Sequence, residues 1–127
     1  MDYIWTVNDL YTDTKAKYFE KTSSTIYDPY LIPNVNRIIG ELFKENNMER
    51  MFNGKAPLER VPYVKGLDDK IVFEEKYARD IMPLGLAAYF YIDDDLNKYS
   101  LYITDYKNER IMNQKIVPAE VIDGFAK

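Results

Sequence analysis

The chain contains no cysteine and no histidine. Without cysteine there is no disulfide framework, no thiolate metal site and no sulfur nucleophile. Without histidine the commonest general base, the usual metal ligand and every imidazole-dependent triad are missing, so carboxylates, Lys and Tyr remain as the acid–base groups. The expectation is a protein that is not an enzyme, with no catalytic residues, no cofactor and no metal. Basic charge is scarce as well: 17 Lys plus Arg stand against 21 Asp plus Glu, for a net charge of −4. That balance disfavours gripping nucleic acid by counterion release. No apolar run approaches the roughly 20 residues that span a bilayer. The opening Met1-Asp2-Tyr3-Ile4-Trp5 lacks the basic and long apolar regions of a signal peptide. A soluble protein made in the cytoplasm, with no membrane contact, is expected.

What is present suffices for a core. The 127 residues are 46% hydrophobic and 15% aromatic, enough apolar material for a single domain over 1–127. Over 6–19, Val7, Leu10, Tyr11, Tyr18 and Phe19 recur at helical spacing behind a Thr6 cap. The polar stretch 21–25 reads as a loop. Asp28-Pro29 then supplies a capping oxygen and a proline harmless in a first turn. After it, Leu31, Ile32, Val35, Ile38, Ile39, Leu42 and Phe43 form one apolar stripe, a core-facing helix that Asn46-Asn47 or Asn53-Gly54 would stop.

The character changes over 55–73. Pro57, Pro62 and Gly66 break any helix, while Val61, Tyr63, Val64 and Ile71-Val72-Phe73 favour extended chain around a turn at Gly66-Leu67-Asp68-Asp69. A short β-hairpin or extended crossover is expected. A helix over 74–91 follows, carrying Tyr77, Ile81, Leu84, Ala88 and Tyr91 on one side, small residues Gly85, Ala87 and Ala88 where another helix approaches, and a kink at Pro83. Asp93-Asp94-Asp95 makes a bend and a cap. Leu96, Tyr99, Ile103, Tyr106 and Arg110 then read as the seam of an antiparallel partner helix. Beyond Gln114 the pattern fades into an apolar tail, 115–127, broken by Pro118 and Gly124. Such a tail either folds back on its own domain or is ordered by a neighbour. The fold class is mainly α: a small bundle of about four helices with an extended or hairpin middle and an extended C-terminal tail.

The order Leu67-Asp68-Asp69, then Met82-Pro83-Leu84-Gly85-Leu86-Ala87-Ala88, then Asp93-Asp94-Asp95, then Tyr99 to Tyr106-Lys107-Asn108-Glu109-Arg110 resembles the head–tail connector (adaptor, head-completion) proteins of tailed bacteriophages. The helix over 28–43, with Asn36 at its centre, is similar to their first long helix, so the likeness spans residues 28–111. The segments 1–5 and 48–60 match nothing in that pattern. The resemblance implies a structural virion protein of the phage neck, assembled from the host cytoplasm. It would form a ring with copies of itself, twelve-fold to match a portal, and join the portal protein to tail or further neck proteins. DNA would pass through without sequence-specific binding, which suits an acidic subunit. The competing class is a small helical protein–protein interaction or regulatory module without catalysis.

Three motifs have a sharper reading beside a blander one. Asp93-Asp94-Asp95 suggests a hard cation, yet no spaced ligand loop follows, and the cap-and-bend reading is favoured. Glu74-Glu75 and the pair Glu41/Glu45 resemble acid–base carboxylates, but like charges four apart on a helix usually face water. The tyrosines of Tyr99, Tyr102 and Tyr106 could stack bases, but only Lys98 and Lys107 flank them, so core and subunit interface are favoured. The residues expected at an assembly interface are Ile116, Val117, Val121, Ile122 and Phe125 of the tail, with Tyr99 and Tyr102.

Overall fold

The computed structural model describes residues 5–114. Its first helix, Val7–Tyr18 (α1), begins where expected. The Asp9 amide donates to the Thr6 hydroxyl oxygen at 3.1 Å and the Thr6 amide to the Asp9 carboxylate at 3.0 Å, a reciprocal cap that satisfies two otherwise orphaned donors. Val7, Leu10, Tyr11 and Thr14 are its buried face. A 3₁₀ turn, Asp28–Tyr30, leads into the 22-residue helix Leu31–Phe52 (α2). Here the expected cap is corrected: neither the 3₁₀ turn nor α2 has a side-chain cap, and the Asp28 carboxylate instead accepts from the Tyr11 hydroxyl at 2.6 Å. The apolar stripe holds, with Leu31, Val35, Ile38, Ile39 and Leu42 buried and Ile32 and Phe43 partly covered. The helix runs through Asn46-Asn47 and stops at Asn53-Gly54, where Gly54 takes φ 80°, a left-handed conformation that glycine adopts without steric cost.

The hairpin expected in the middle does not form. Among the described residues there is no strand, and the only bridge is the isolated antiparallel one between Thr6 and Lys70. The segment 55–75 crosses the bundle as a strap whose backbone finds side-chain partners in place of a second strand. Asn36 accepts from the Val64 amide and donates to the Val64 carbonyl, both at 2.9 Å. Asn47 does the same for Leu58 at 2.8 and 3.1 Å. Each asparagine thus imitates one residue of an antiparallel ladder. Asn46 accepts from the Glu74 amide at 2.7 Å. The first amides of α1, Val7 and Asn8, donate to the Asp69 and Leu67 carbonyls at 2.9 Å, so the strap also satisfies a helix N-terminus. The turn near Gly66 is present, and the Asp69 carboxylate accepts from the Lys65 and Gly66 amides. Ile71 and Phe73 point inward and Val72 outward, the alternation of extended chain.

The helix expected over 74–91 is divided. Lys76–Ile81 forms a π turn, and Met82–Tyr91 (α3) follows with Pro83 in its first turn. Proline has no N–H and its ring crowds the carbonyl four residues back. The wider turn, in which the Met82 amide reaches the Tyr77 carbonyl, accommodates both. Every residue of α3 is buried, the mark of a central helix; it packs on α1, on α2 and on the last helix, Leu96–Met112 (α4). The acidic connection bends and caps: the Asp95 carboxylate accepts from the Asn97 and Lys98 amides at 3.1 Å. Antiparallel α4 lies close because Gly85 leaves room for the Tyr106 ring. Its seam differs from the expected one at Leu96, which is exposed; Tyr99, Tyr102, Ile103 and Tyr106 face the core.

Candidate functional site

The carboxylates of α2 carry the densest polar chemistry. Glu41 Oε2 accepts from the Tyr89 hydroxyl at 2.6 Å and Glu41 Oε1 from the Tyr106 hydroxyl at 2.8 Å. Arg37 stands 3.6 Å from Oε2 and its guanidinium lies 3.9 Å from the centre of the Tyr89 ring. One turn on, Glu45 accepts from Arg110 Nη2 at 2.6 Å and Nε at 3.0 Å, a bidentate pair across to α4. The Glu45 side chain is 15% exposed. The solvated face expected for Glu41 and Glu45 is therefore corrected: tyrosines and an arginine from α3 and α4 reach over and draw both carboxylates into the bundle. Glu74 is likewise shielded and paired with Lys55 at 3.1 Å, while Glu75 is exposed and bonds Arg79.

This arrangement holds protons instead of moving them. Burial, then the Glu41 charge and hydrogen bond, push the Tyr106 hydroxyl far above the usual tyrosine value. Burial and the bond to Glu41 do the same for Tyr89. A phenol that ionises with such difficulty is a poor general acid near neutrality. The same pairing recurs: the Tyr27 hydroxyl donates to Asp94 at 2.6 Å and the Tyr11 hydroxyl to Asp28 at 2.6 Å. The three aspartates of the bend consequently diverge in use, with Asp95 capping α4, Asp94 holding Tyr27 and Asp93 exposed. Among the described residues no group of three acidic, His or Cys side chains is placed to hold a metal ion, and no helix is long and apolar enough to cross a membrane.

Of the residues expected at an assembly interface, Tyr99 and Tyr102 are half-buried against the core. The Tyr102 ring sits 5.0 Å from that of Tyr18 and 5.9 Å from that of Tyr91. Ile116, Val117, Val121, Ile122 and Phe125 lie outside the described residues. Four exposed apolar side chains lie along α4, Leu96 at its start, Leu101 near it and Ile111 and Met112 at its end, and others such as Ile26, Phe52 and Tyr63 lie elsewhere. A cleft of about 410 Å³ between α1 and the π turn is lined by Trp5, Asp13, Lys17, Glu75, Lys76, Arg79 and Asp80. Two ion pairs lie within its lining, Lys17 with Asp13 and Arg79 with Glu75, while Lys76 stands 4.0 Å from Glu49 of α2.

Sequence reasoning missed the asparagine clamps and the tyrosine–carboxylate pairs. For the clamps a signal existed: Asn36, Asn46 and Asn47 interrupt a good helix with residues that favour caps and turns, a cost that buried amide bonding explains. For the tyrosine pairs there was none, because the partners are 17, 67, 48 and 65 residues apart. The chain matches no protein-family model, no curated protein and no solved structure.

Proposed function

We propose that this protein is a non-enzymatic assembly subunit of the head–tail connector kind, joining into a ring at a phage portal. The observation that carries the reading is the apolar surface at the end of α4. Ile111 and Met112 are 67% and 76% exposed, and past the polar Asn113-Gln114-Lys115 the sequence turns apolar again at Ile116, Val117, Val121, Ile122 and Phe125. Contiguous exposed apolar residues mark surfaces that are covered on association. Two features support it further. The helical hairpin of α3 and α4 with its acidic bend lies within the stretch, 28–111, that resembles connectors. The hydroxyls of Tyr11, Tyr27, Tyr89 and Tyr106 and the carboxylates of Asp28, Asp94 and Glu41 are committed to holding elements of the fold together.

In this reading each large side chain of the α4 end and the tail contributes roughly 1.5–3 kcal/mol when a neighbour covers it fully, and cyclic closure multiplies those contacts around the ring. Deleting residues 115–127 is the test. The deleted protein is expected to keep its helical circular dichroism and urea midpoint yet fail to join portal-bearing particles. Normal incorporation of the deletion variant, or its outright unfolding, would overturn the assignment of the tail to assembly. Native mass spectrometry of the full chain with portal protein tests the ring: a stoichiometry of one copy per portal and no higher order would point to the interaction-module class instead.

A further inference from the structure

Four buried polar atoms around the start of the π turn have no hydrogen-bond partner, Asn46 Nδ2, Glu49 Oε2, Glu74 Oε1 and the Tyr77 hydroxyl; Lys55 Nζ stands 3.1 Å from Glu74 Oε1 as an ion pair, which leaves the other three. Asn46 and Tyr77 are fully buried and Glu49 nearly so. An unsatisfied buried polar atom costs free energy, and these three belong to residues joined through Glu74 and through one turn of α2. Asn46 and Glu49 are one helical turn apart on α2 and share a face. Asn46 Oδ1 accepts from the Glu74 amide at 2.7 Å, which fixes the side-chain amide so that its NH₂ end is the free one. The Tyr77 amide bonds the carbonyl of that same Glu74 at 2.9 Å. The Tyr77 hydroxyl, pushed up to about 12 mainly by burial, feels the carboxylates of Glu45 and Glu49. The other Glu49 oxygen stands 4.0 Å from Lys76 Nζ.

The chemistry of the set selects its ligand. The Asn46 NH₂ group only donates, the Glu49 carboxylate only accepts, and the Tyr77 hydroxyl does both. A metal cation is rejected by the amide hydrogens and an anion by the carboxylate. What fits is a small neutral species that accepts from one side and donates to the other. We propose that one internal water molecule is bound here, accepting from Asn46 Nδ2, donating to Glu49 Oε2 and completing its shell with the Tyr77 hydroxyl. Three polar partners are the usual complement of a buried water. The site joins α2 to the π turn just where the strap ends, so the water is a structural ligand that fastens strap and bundle together.

A high-resolution crystal structure of the full chain tests this directly. The expected result is one isolated solvent peak within roughly 2.7–3.2 Å of all three atoms. An empty site, or Tyr77 or Asn46 bonded straight to Glu49, would overturn it. In solution, magnetisation transfer from a long-lived water to the Asn46 NH₂ protons is expected in the wild-type protein and should weaken in Tyr77→Phe. No transfer in the wild type, or undiminished transfer in the variant, would remove the water or Tyr77 from the site respectively, and either result contradicts the three-partner arrangement.

Discussion

Hydroxyls from Tyr89 and Tyr106 occupy the two oxygens of Glu41, and the consequences of removing each differ because their surroundings differ. Tyr106 is 1% exposed and is the donor to Oε1. Tyr106→Phe strips a hydrogen bond to a charged acceptor, so a loss of about 1.5–3 kcal/mol is expected, read as a lower urea midpoint at constant slope. Tyr89→Phe should cost less, since Arg37 already stands 3.6 Å from Oε2 and can move onto it. A second test concerns Gly85. Alanine gains about 1 kcal/mol in helix preference over glycine, yet a Cβ here would lie 2.9 Å from Tyr106 Cε1 and 3.0 Å from Cζ. Overpacking of about 1–3 kcal/mol should win, making Gly85→Ala destabilising. In a Tyr106→Leu background, where the ring is gone, the same change should become neutral or stabilising; an unchanged penalty would show that the ring is not the cause.

α2 serves the core and the strap at once. Its apolar stripe enters the core, and truncating Leu42 to Ala, a fully buried position, should cost about 2–5 kcal/mol in chemical denaturation. The edge of that stripe holds the strap through Asn36 and Asn47, and Asn46, in line with Leu42 and fully buried, holds its end. Asn36→Asp is the more informative change there. A carboxylate still accepts from the Val64 amide but has no donor for the Val64 carbonyl, so two oxygens oppose each other where a hydrogen bond was. The strap is expected to loosen by about 1–3 kcal/mol, seen as faster proteolytic cleavage within 55–73 while helical circular dichroism is retained. Wild-type cleavage rates in the variant would mean that burial of Val64, Ile71 and Phe73 holds the strap unaided.

Taken together, the molecule spends its tyrosines as fasteners. Tyr11–Asp28 ties α1 to the start of α2, Tyr27–Asp94 ties the α1–α2 connection to the acidic bend, and Glu41 gathers α3 and α4 onto α2. Burial is the leading cause that raises Tyr11, Tyr27, Tyr77, Tyr89 and Tyr106 above the ordinary tyrosine value of about 10. With folded values above unfolded ones, the folded chain binds more protons in the interval between them. The stability these groups contribute is therefore fully present below about pH 10 and is lost as pH rises through the folded values. Alkaline unfolding followed by circular dichroism should begin above about pH 10 and coincide with a late, cooperative step in phenolate absorbance. A smooth, non-cooperative titration of all the tyrosines would contradict the fastening role.

Features that rest on neighbours in the chain were legible in the sequence: the Thr6 cap, the α2 stripe, the two candidate stops at Asn46-Asn47 or Asn53-Gly54 and the cap at the acidic bend each depend on contacts within about four residues or on a 3.6-residue period. The general form of a mainly helical bundle follows from those alone. The strap, the half-buried carboxylates Glu41 and Glu45 and the π turn do not. Whether 61–64 and 71–73 pair with each other as a hairpin depends on which partner satisfies their backbone groups: the Asn36 amide takes those of Val64 and the Trp5 carbonyl takes the Ile71 amide, choices that are equal to a ladder in local terms. Whether Glu41 faces water depends on tyrosines 48 and 65 residues away. Such choices are made by long-range partners competing for one donor or acceptor, and only the folded chain brings those partners within hydrogen-bond reach.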